Sequence, residues 1–343
     1  MSFVVVDPVR FSDGILADHQ IETLIQSGGI LAEGGLAPLQ VQPASIDLRL
    51  GETAYRIRAS FLPNGRKVAD CLTDDLVMHK IDLREGAVLE TGCVYLVPLQ
   101  ERIALPAGLT ASANPKSSTG RIDVFVRLVA DGVSRFDGVP EGYDGPLYAE
   151  VSPRSFSILA RPGDRLLQMR FRSGPLRVTE TLDFSVHLEG LENGLIGYRA
   201  SRHSRVVDLA NVGRHPMQDF WEPMSARQGQ LVLDPGEFYI LASNEFVTIP
   251  KDRAAEMAPI APDLGEFRAH YAGFFDPGFG CDGIKGRAVL EVRGRDVPFI
   301  LEHGQPVGRL VYEAMSEVPK SPYGGQGSNY QGQGLKLSKH FSV

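Results

Sequence analysis

Apolar positions along this chain come in short runs, as in Val94-Tyr-Leu-Val-Pro and Phe238-Tyr-Ile-Leu-Ala, and the runs are interrupted by Pro-Gly and Asp-Gly pairs. Short apolar or alternating segments between such turn pairs predict strands, and many of them in succession predict an all-β sandwich or barrel. One segment departs from this pattern. From Ala17 to Ser27 the apolar residues Ile21, Leu24 and Ile25 fall on one helical face, with Asp18 as the predicted cap and Gly28-Gly29 as the stop.

The strand pattern occurs twice. Val88-Leu89-Glu90-Thr91-Gly92 through Tyr95 and Pro106 matches Val232-Leu233-Asp234-Pro235-Gly236 through Tyr239 and Pro250 at one offset of 144 positions. Further on, Gly145, Glu150, Val151 and Gly163 match Gly286, Glu291, Val292 and Gly304 at an offset of 141. Register kept over several strands indicates an internal duplication of one β-rich unit. The span from about Glu189 to Met224 reads as the boundary region, part of it assignable to the second copy because Val207-Asp208-Leu209 is similar to Ile46-Asp47-Leu48.

The 343-residue length agrees with two domains, each able to bury its own core. A net charge of -7 argues against a general nucleic-acid surface, so phosphate chemistry is confined to a local basic pocket. No long uncharged apolar run suggests a membrane span, and Met-Ser-Phe-Val-Val-Val-Asp lacks a leader pattern, so a cytoplasmic protein is expected. Three scattered cysteines, Cys71, Cys93 and Cys281, do not make a disulfide framework. The His-x-Glu and Pro-Cys-x-x-Cys pattern of zinc deaminases is absent, and His270 and His303 read as ordinary strand or turn residues, so no zinc is expected.

The segment with the most chemistry is Lys116-Ser-Ser-Thr-Gly-Arg121, followed by Ser134-Arg-Phe-Asp137 and by Gly145 to Glu150. The hydroxyls of Ser117 and Ser118, the two cations Lys116 and Arg121, and free backbone N–H groups in one turn suit a polyphosphate. A carboxylate on a neighbouring strand suits a base.

Four segments, in order, resemble the dCTP deaminase branch of the trimeric dUTPase-like superfamily. Val41-Gln-Pro-Ala-Ser-Ile-Asp-Leu-Arg-Leu-Gly51 is similar to its N-terminal motif, and Pro115 to Arg121 to its phosphate motif, with Lys116 where arginine is usual. Ala272-Gly-Phe-Phe-Asp-Pro-Gly-Phe279 with Gly286 and Leu290-Glu291 is similar to the nucleoside hairpin and catalytic glutamate, and Tyr323 to Gly334 to the C-terminal lid, with Asn329 where a lysine is common. The resemblance implies two tandem distorted β-barrel or jelly-roll domains. Residues 1–190 would carry the phosphate motif, and residues 191–343 the nucleoside hairpin and lid.

It also implies hydrolytic deamination of dCTP to dUTP and ammonia without a protein-bound metal. Mg²⁺ would arrive on the triphosphate, dTTP is a candidate regulator, and a homo-oligomer is expected. A dUTPase, a bifunctional enzyme giving dUMP, and a non-catalytic nucleotide sensor are the competing readings. In the residue roles so implied, a glutamate moves protons, Ser117 fixes a water together with a carbonyl near Ala130 or Ala272, and Arg121 orients the glutamate. Lys116 and Ser118 hold phosphates, Asp276 or Asp137 binds the sugar 3′-hydroxyl, and Tyr323, Tyr330 and Gln333 close the lid. Phe274 and Phe279 are candidate walls of the base pocket. Asp47 and Arg49 are assigned to a buried polar turn and ion pair, and Trp221 to core or interface.

The copies have diverged. Where the first has Lys116 to Arg121, the second reads Ile260-Ala-Pro-Asp-Leu-Gly265, with neither hydroxyl nor cation, yet its hairpin is the better kept of the two. A composite site of Lys116, Ser117, Ser118 and Arg121 with Asp276 and Glu291 is favoured. The alternative pairs the same turn with Asp137 and Glu150 of another chain.

Overall fold

The computed structural model describes residues 10–32, 34–225, 227–258, 264–269, 273–324, 330, 332 and 334–342. His270, Ala272, Asn329, Gln333 and residues 260–263 lie outside the described residues.

The protein is all-β, as its alternation predicts, with two dUTPase-like β units in tandem. In the first half one sheet runs Gly138–Val139, Leu109–Pro115, Arg165–Ser173, Ser45–Arg49, Val41–Gln42, with Gly14–Ile15 beside Arg165–Ser173. The other runs Val124–Ala130, Asp144–Pro153, Val94–Ala104, Thr53–Ile57, Val77–Asp82, with Ile30–Ala32 beside Val94–Ala104. The second half repeats both. Val178–Ser185, Pro306–Ala314, Arg253–Ala258 and Phe274–Phe275 form one sheet; Trp221–Ser225, Leu195–Ala200, Phe238–Val247, Gly286–Gly294 and Phe267–Ala269 form the other.

The duplication holds residue by residue. Glu150 lies opposite Leu96, and Glu291 opposite Ile240, the same register 144 positions on in the partner strand. At the entry to these strands the Tyr95 hydroxyl accepts the Glu90 N–H at 3.0 Å, and the Tyr239 hydroxyl accepts the Asp234 N–H at 2.9 Å. The second-half counterpart of Ser45–Arg49 is Val178–Ser185, which pairs antiparallel with Pro306–Ala314 as Ser45–Arg49 does with Arg165–Ser173. The likeness of Val207-Asp208-Leu209 to Ile46-Asp47-Leu48 is therefore not structural. Val207–Asp208 crosses to the first half and runs parallel to Ile158–Ala160.

The predicted helix is Asp18–Gln26, with Ile21 and Leu24 buried and Ile25 half-buried; Gly28, at φ +81°, takes the left-handed conformation that ends it. Asp18 is not its cap. The cap is Ala17, whose N–H donates to Gln20 Oε1 at 3.0 Å. The Asp18 carboxylate instead accepts the N–H groups of Lys320 and Ser321, at 2.9 and 2.8 Å, and so ties the start of the chain to the tail.

Two large apolar cores and two smaller clusters form among the described residues. One large core lies wholly in the second half, around Tyr239, Leu290, Leu301 and Leu310. The other fills the first half and continues through Val207, Leu209, Phe220, Trp221 and Val289 of the second, so apolar burial joins the halves. Leu337 and Phe341 complete it from the tail. Phe341 meets Phe156, Phe220 and Trp221 at ring-centroid separations of 6.3, 5.2 and 5.8 Å, and Phe341–Ser342 runs parallel to His215–Pro216. The end of the tail is thus a packed element of the fold. Phe341→Ala is expected to lower stability by about 3 kcal/mol, as for deletion of a buried aromatic ring. Urea unfolding followed by the fluorescence of Trp221, the chain's single tryptophan, measures this directly.

Candidate active site

Strand Leu109–Pro115 ends in Pro115, and the chain then turns through one short helix, Ser117–Gly120. The turn is pinned by two bonds to one carbonyl: the Lys116 N–H and the Thr119 hydroxyl both donate to Leu166 O, at 2.9 and 3.0 Å. Ser118 and Arg121 are buried, while Lys116 and Ser117 are half-buried. This turn opens onto a cavity of about 470 Å³ whose other wall comes from the second half. Lys116, Ser117, Ser118 and Arg121 line one side, Phe274, Asp276, Phe279 and Glu291 the other, and Tyr323 and Tyr330 cover it. The structure therefore brings the first copy's turn and the second copy's hairpin to one place within a single chain.

Glu291 projects from strand Gly286–Gly294 and is 4% exposed; its Oε2 has no hydrogen-bond partner among the described residues. Burial holds its carboxyl well above the usual range, with the Arg121 charge pulling it back down and Asp123 adding to the rise. The Arg121 guanidinium stacks on the Tyr330 ring at 3.9 Å and donates to Lys336 O at 2.8 Å. Burial pushes Asp276 up as well, against the pull of Arg170, whose guanidinium lies 3.2 Å from Asp276 Oδ1. Phe279 packs against Phe275 and Tyr323, at centroid separations of 5.5 and 5.8 Å.

Glu150 and Asp137 are elsewhere. Glu150 occupies the equivalent strand position and is also held above its ordinary value by burial, but its Oε2 accepts the Ser60 hydroxyl at 2.7 Å. Asp137 accepts the Leu128 N–H and pairs with Arg127, both at 2.7 Å. Neither lines the cavity.

Several cavity residues had been read as structural or passed over. Asp47 and Arg49 do not pair with each other. Arg49 pairs with Glu101 at 2.7 Å, while Asp47 sits in the cavity wall and binds the Lys116 ammonium. Arg165 and Lys339 join Lys116 around Asp47, so three cations gather at the mouth of the turn. Arg170 is the other omission. It reaches from the first half to bind Ala255 O and Phe275 O at 2.8 Å each, and lies 4.0 Å from the Phe274 ring, which fixes the base of the hairpin. The available signal was the alternation of Gln168, Arg170 and Arg172 along one strand face.

Two family models together match residues 12–341. The N-terminal domain of 2′-deoxycytidine 5′-triphosphate deaminase matches residues 12–175, and the C-terminal domain of the same enzyme matches residues 164–341. The chain belongs to the dCTP deaminase family. A dCTP deaminase of Haloarcula marismortui is 30% identical over 162 residues, covering 46% of this chain and 79% of that protein. A protein of Coprothermobacter proteolyticus named dCTP deaminase, dUMP-forming, is 29% identical over 163 residues, covering 46% and 81%. The crystal structure of the 2′-deoxycytidine 5′-triphosphate deaminase of Agrobacterium tumefaciens superposes with a TM-score of 0.86 at 53% identity, over 90% of this chain and all of that one. This chain is thus an enzyme of the dCTP deaminase family. No helix among the described residues is long and apolar enough to cross a membrane.

In this member of the family the cover of the cavity rests on a buried imidazole. His340 lines the cavity, its Nδ1 is 2.9 Å from Ser338 Oγ, and Ser338 in turn donates to Ser118 O at 2.8 Å. Burial and the neighbouring Lys339 depress the imidazole to about 4 from its ordinary 6.5. A depressed imidazole contributes stability that is present in full above its unfolded value and is lost as the pH falls through its folded value. Docking of the tail is therefore expected to weaken progressively between about pH 6.5 and 4. Hydrogen exchange of residues 335–342 should speed up at pH 5 relative to pH 7, after correction for intrinsic rates, and His340→Asn should flatten that dependence.

Proposed function

We propose that the chain hydrolyses dCTP to dUTP and ammonia at the cavity between its two halves, with Glu291 as the proton-transferring group. The observation that carries this reading is the Glu291 carboxyl. It is buried, has a free oxygen, faces Arg121, and shares one cavity with a turn suited to phosphate. A carboxyl raised toward the working pH both accepts and returns a proton, which deamination requires.

Glu291 takes a proton from a water held by Ser117, and the hydroxide adds to C4 of cytosine. The proton passes to N3, and Glu291 then carries the proton of the new C4 hydroxyl to the exocyclic amino group, which leaves as ammonia. As the C4–N bond breaks the C4 carbonyl forms, so water and dCTP are converted to dUTP and ammonia in balance. Arg121 orients the carboxylate through its planar fork and limits the charge that builds up beside it. Asp276, held by Arg170, accepts the sugar 3′-hydroxyl. Phe274 and Phe279 flank the base.

The triphosphate enters as its Mg²⁺ complex, with the ion held by phosphate oxygens. Lys116, Arg165, Lys339, the Ser118 hydroxyl and the opening N–H groups of the turn receive the remaining charge. In this scheme the substrate replaces Asp47 as the partner of Lys116. dTTP carries the same sugar and phosphates and lacks the amino group, so it would compete for the same cavity. The expected homo-oligomer is not required to complete this site.

Glu291→Gln keeps the shape of the side chain and cannot exchange the proton, so turnover should fall by at least about a hundredfold. Glu150→Gln should retain activity within a few-fold. The opposite result would move the site to the first copy's hairpin. Measuring ammonia, dUTP and dUMP together with Mg²⁺·dCTP identifies the product, and dUMP with pyrophosphate would place the chain with its dUMP-forming relatives. Restoration of chelated enzyme by zinc and not by Mg²⁺ would overturn the proposed role of the metal.

A further inference from the structure

Two residues beyond Arg121 stands Asp123, and two beyond Glu291 stands Arg293. Asp123 is 0% exposed and holds the left-handed conformation at φ +53°. Its Oδ2 receives the Ser155 hydroxyl at 2.6 Å and the Arg293 guanidinium, which also reaches Ser155 Oγ at 3.1 Å and Gly236 O. Residues two apart on a strand face the same side, so Arg293 emerges beside Glu291. The turn therefore presents a cation and then a carboxylate, and the opposing strand presents a carboxyl and then a cation. The two sequences of charge run in step across the boundary between the halves.

The duplication gives this arrangement its meaning. Glu150 is the counterpart of Glu291, so the counterpart of Arg293 is Ser152. A turn that met the first copy's hairpin would set Asp123 against a serine and leave a fully buried carboxylate without its cation, which is among the costlier defects an interface can carry. The second copy's strand supplies the arginine that pairs with Asp123, alongside the first copy's own Ser155.

We propose that Asp123 and Arg293 are a positioning pair that selects the second half's strand for the phosphate turn and sets both the placement and the charge environment of Glu291. The inference rests on the reading of Glu291 as the proton-transferring group. Besides Arg293 on its own strand, the charged and titratable groups around Glu291 among the described residues are Arg121 and Asp123 from the turn and Tyr330 from the tail. Arg121 and Tyr330 are unchanged in the variants below. A shift can then be assigned to the pair.

The test is the pH dependence of kcat for Mg²⁺·dCTP. Arg293→Met removes a cation from beside Asp123 and Glu291, disfavours the Glu291 carboxylate, and should move the acid limb upward by about one pH unit, with turnover down on the order of tenfold below that limb. Asp123→Asn removes the negative charge, leaves the cation, and should move the limb downward. The double variant should return it toward the wild-type position. A purely structural pair would give losses of stability without opposite shifts.

Both limbs moving the same way, or neither moving, while Glu291→Gln is inactive would overturn the pair and leave Glu291 in place. An active Glu291→Gln would instead overturn the reading on which the pair rests. Should Arg293→Met fail to fold, Arg293→Lys retains the charge and must keep the wild-type limb while the isosteric Asp123→Asn lowers it. An unmoved limb in Asp123→Asn then rejects the proposal.

Discussion

A carboxyl and a guanidinium buried together in one cavity are the constraint around which the rest of this protein is arranged. Removing either charge from water is expensive, and mutual attraction repays the cost only when the geometry is held closely. Arg121 comes from the first half, Glu291 from the second and the Tyr330 ring from the tail, so three separate parts of the chain must dock for the charges to be tolerated. Docking is driven by apolar contact through Leu209, Trp221, Val289 and Phe341, which contribute to the same core as the first half's own residues. The apolar core supplies the free energy and the polar pairs supply the register.

That division of labour explains what was legible in the sequence. Strand content and the duplication follow from alternation, turn pairs and offsets, because these are local or strictly periodic signals, whereas the second copy's hairpin was legible through its resemblance to the family's motif. The polar face of Arg165–Ser173 was not legible in the same way. Gln168, Arg170 and Arg172 alternate with apolar residues as they would on a strand with one wet face. Here that face is an internal boundary. Arg170 binds carbonyls of the second half, Arg172 pairs with Glu313 at 2.6 Å, and Asn114 on the neighbouring strand accepts the Gly273 N–H at 3.0 Å. Local alternation reports which side of a strand is polar, and it cannot report whether water or another domain lies there.

The tail shows the same limit from the other direction. Its glycine- and glutamine-rich stretch carries little local preference, and such a composition ordinarily remains solvated. What fixes its ends is long-range. Asp18 holds Lys320 and Ser321, the Tyr323 N–H donates to Pro277 O at 2.7 Å, and Phe341 enters the aromatic cluster of Phe156, Phe220 and Trp221 where the halves meet. Gly278 permits the approach at Tyr323, since a Cβ there would stand 2.9 Å from Tyr323 O. Lys339 and His340 reach the cavity only because both ends of this segment are anchored, a consequence that no spacing within the tail itself encodes.

Glu150 and Glu291 then make a controlled comparison inside one molecule. Both sit at the same register on equivalent strands, and burial raises both carboxyls. Strand position and desolvation therefore do not distinguish them. The difference lies in what fills the opposite side. Beside Glu150 the segment bearing Ser60 and Phe61 folds over its own domain, packs Val68 against Ile57 and Val129, and spends the carboxyl on a serine hydroxyl. Beside Glu291 the opposite side is the turn from Lys116 to Arg121, which brings a cation and leaves one buried carboxyl oxygen without a hydrogen-bond partner among the described residues. Residues 260–265, which stand where the first copy has Lys116 to Arg121, carry neither hydroxyl nor cation, so only the first copy has a turn of that composition to set against such a carboxyl.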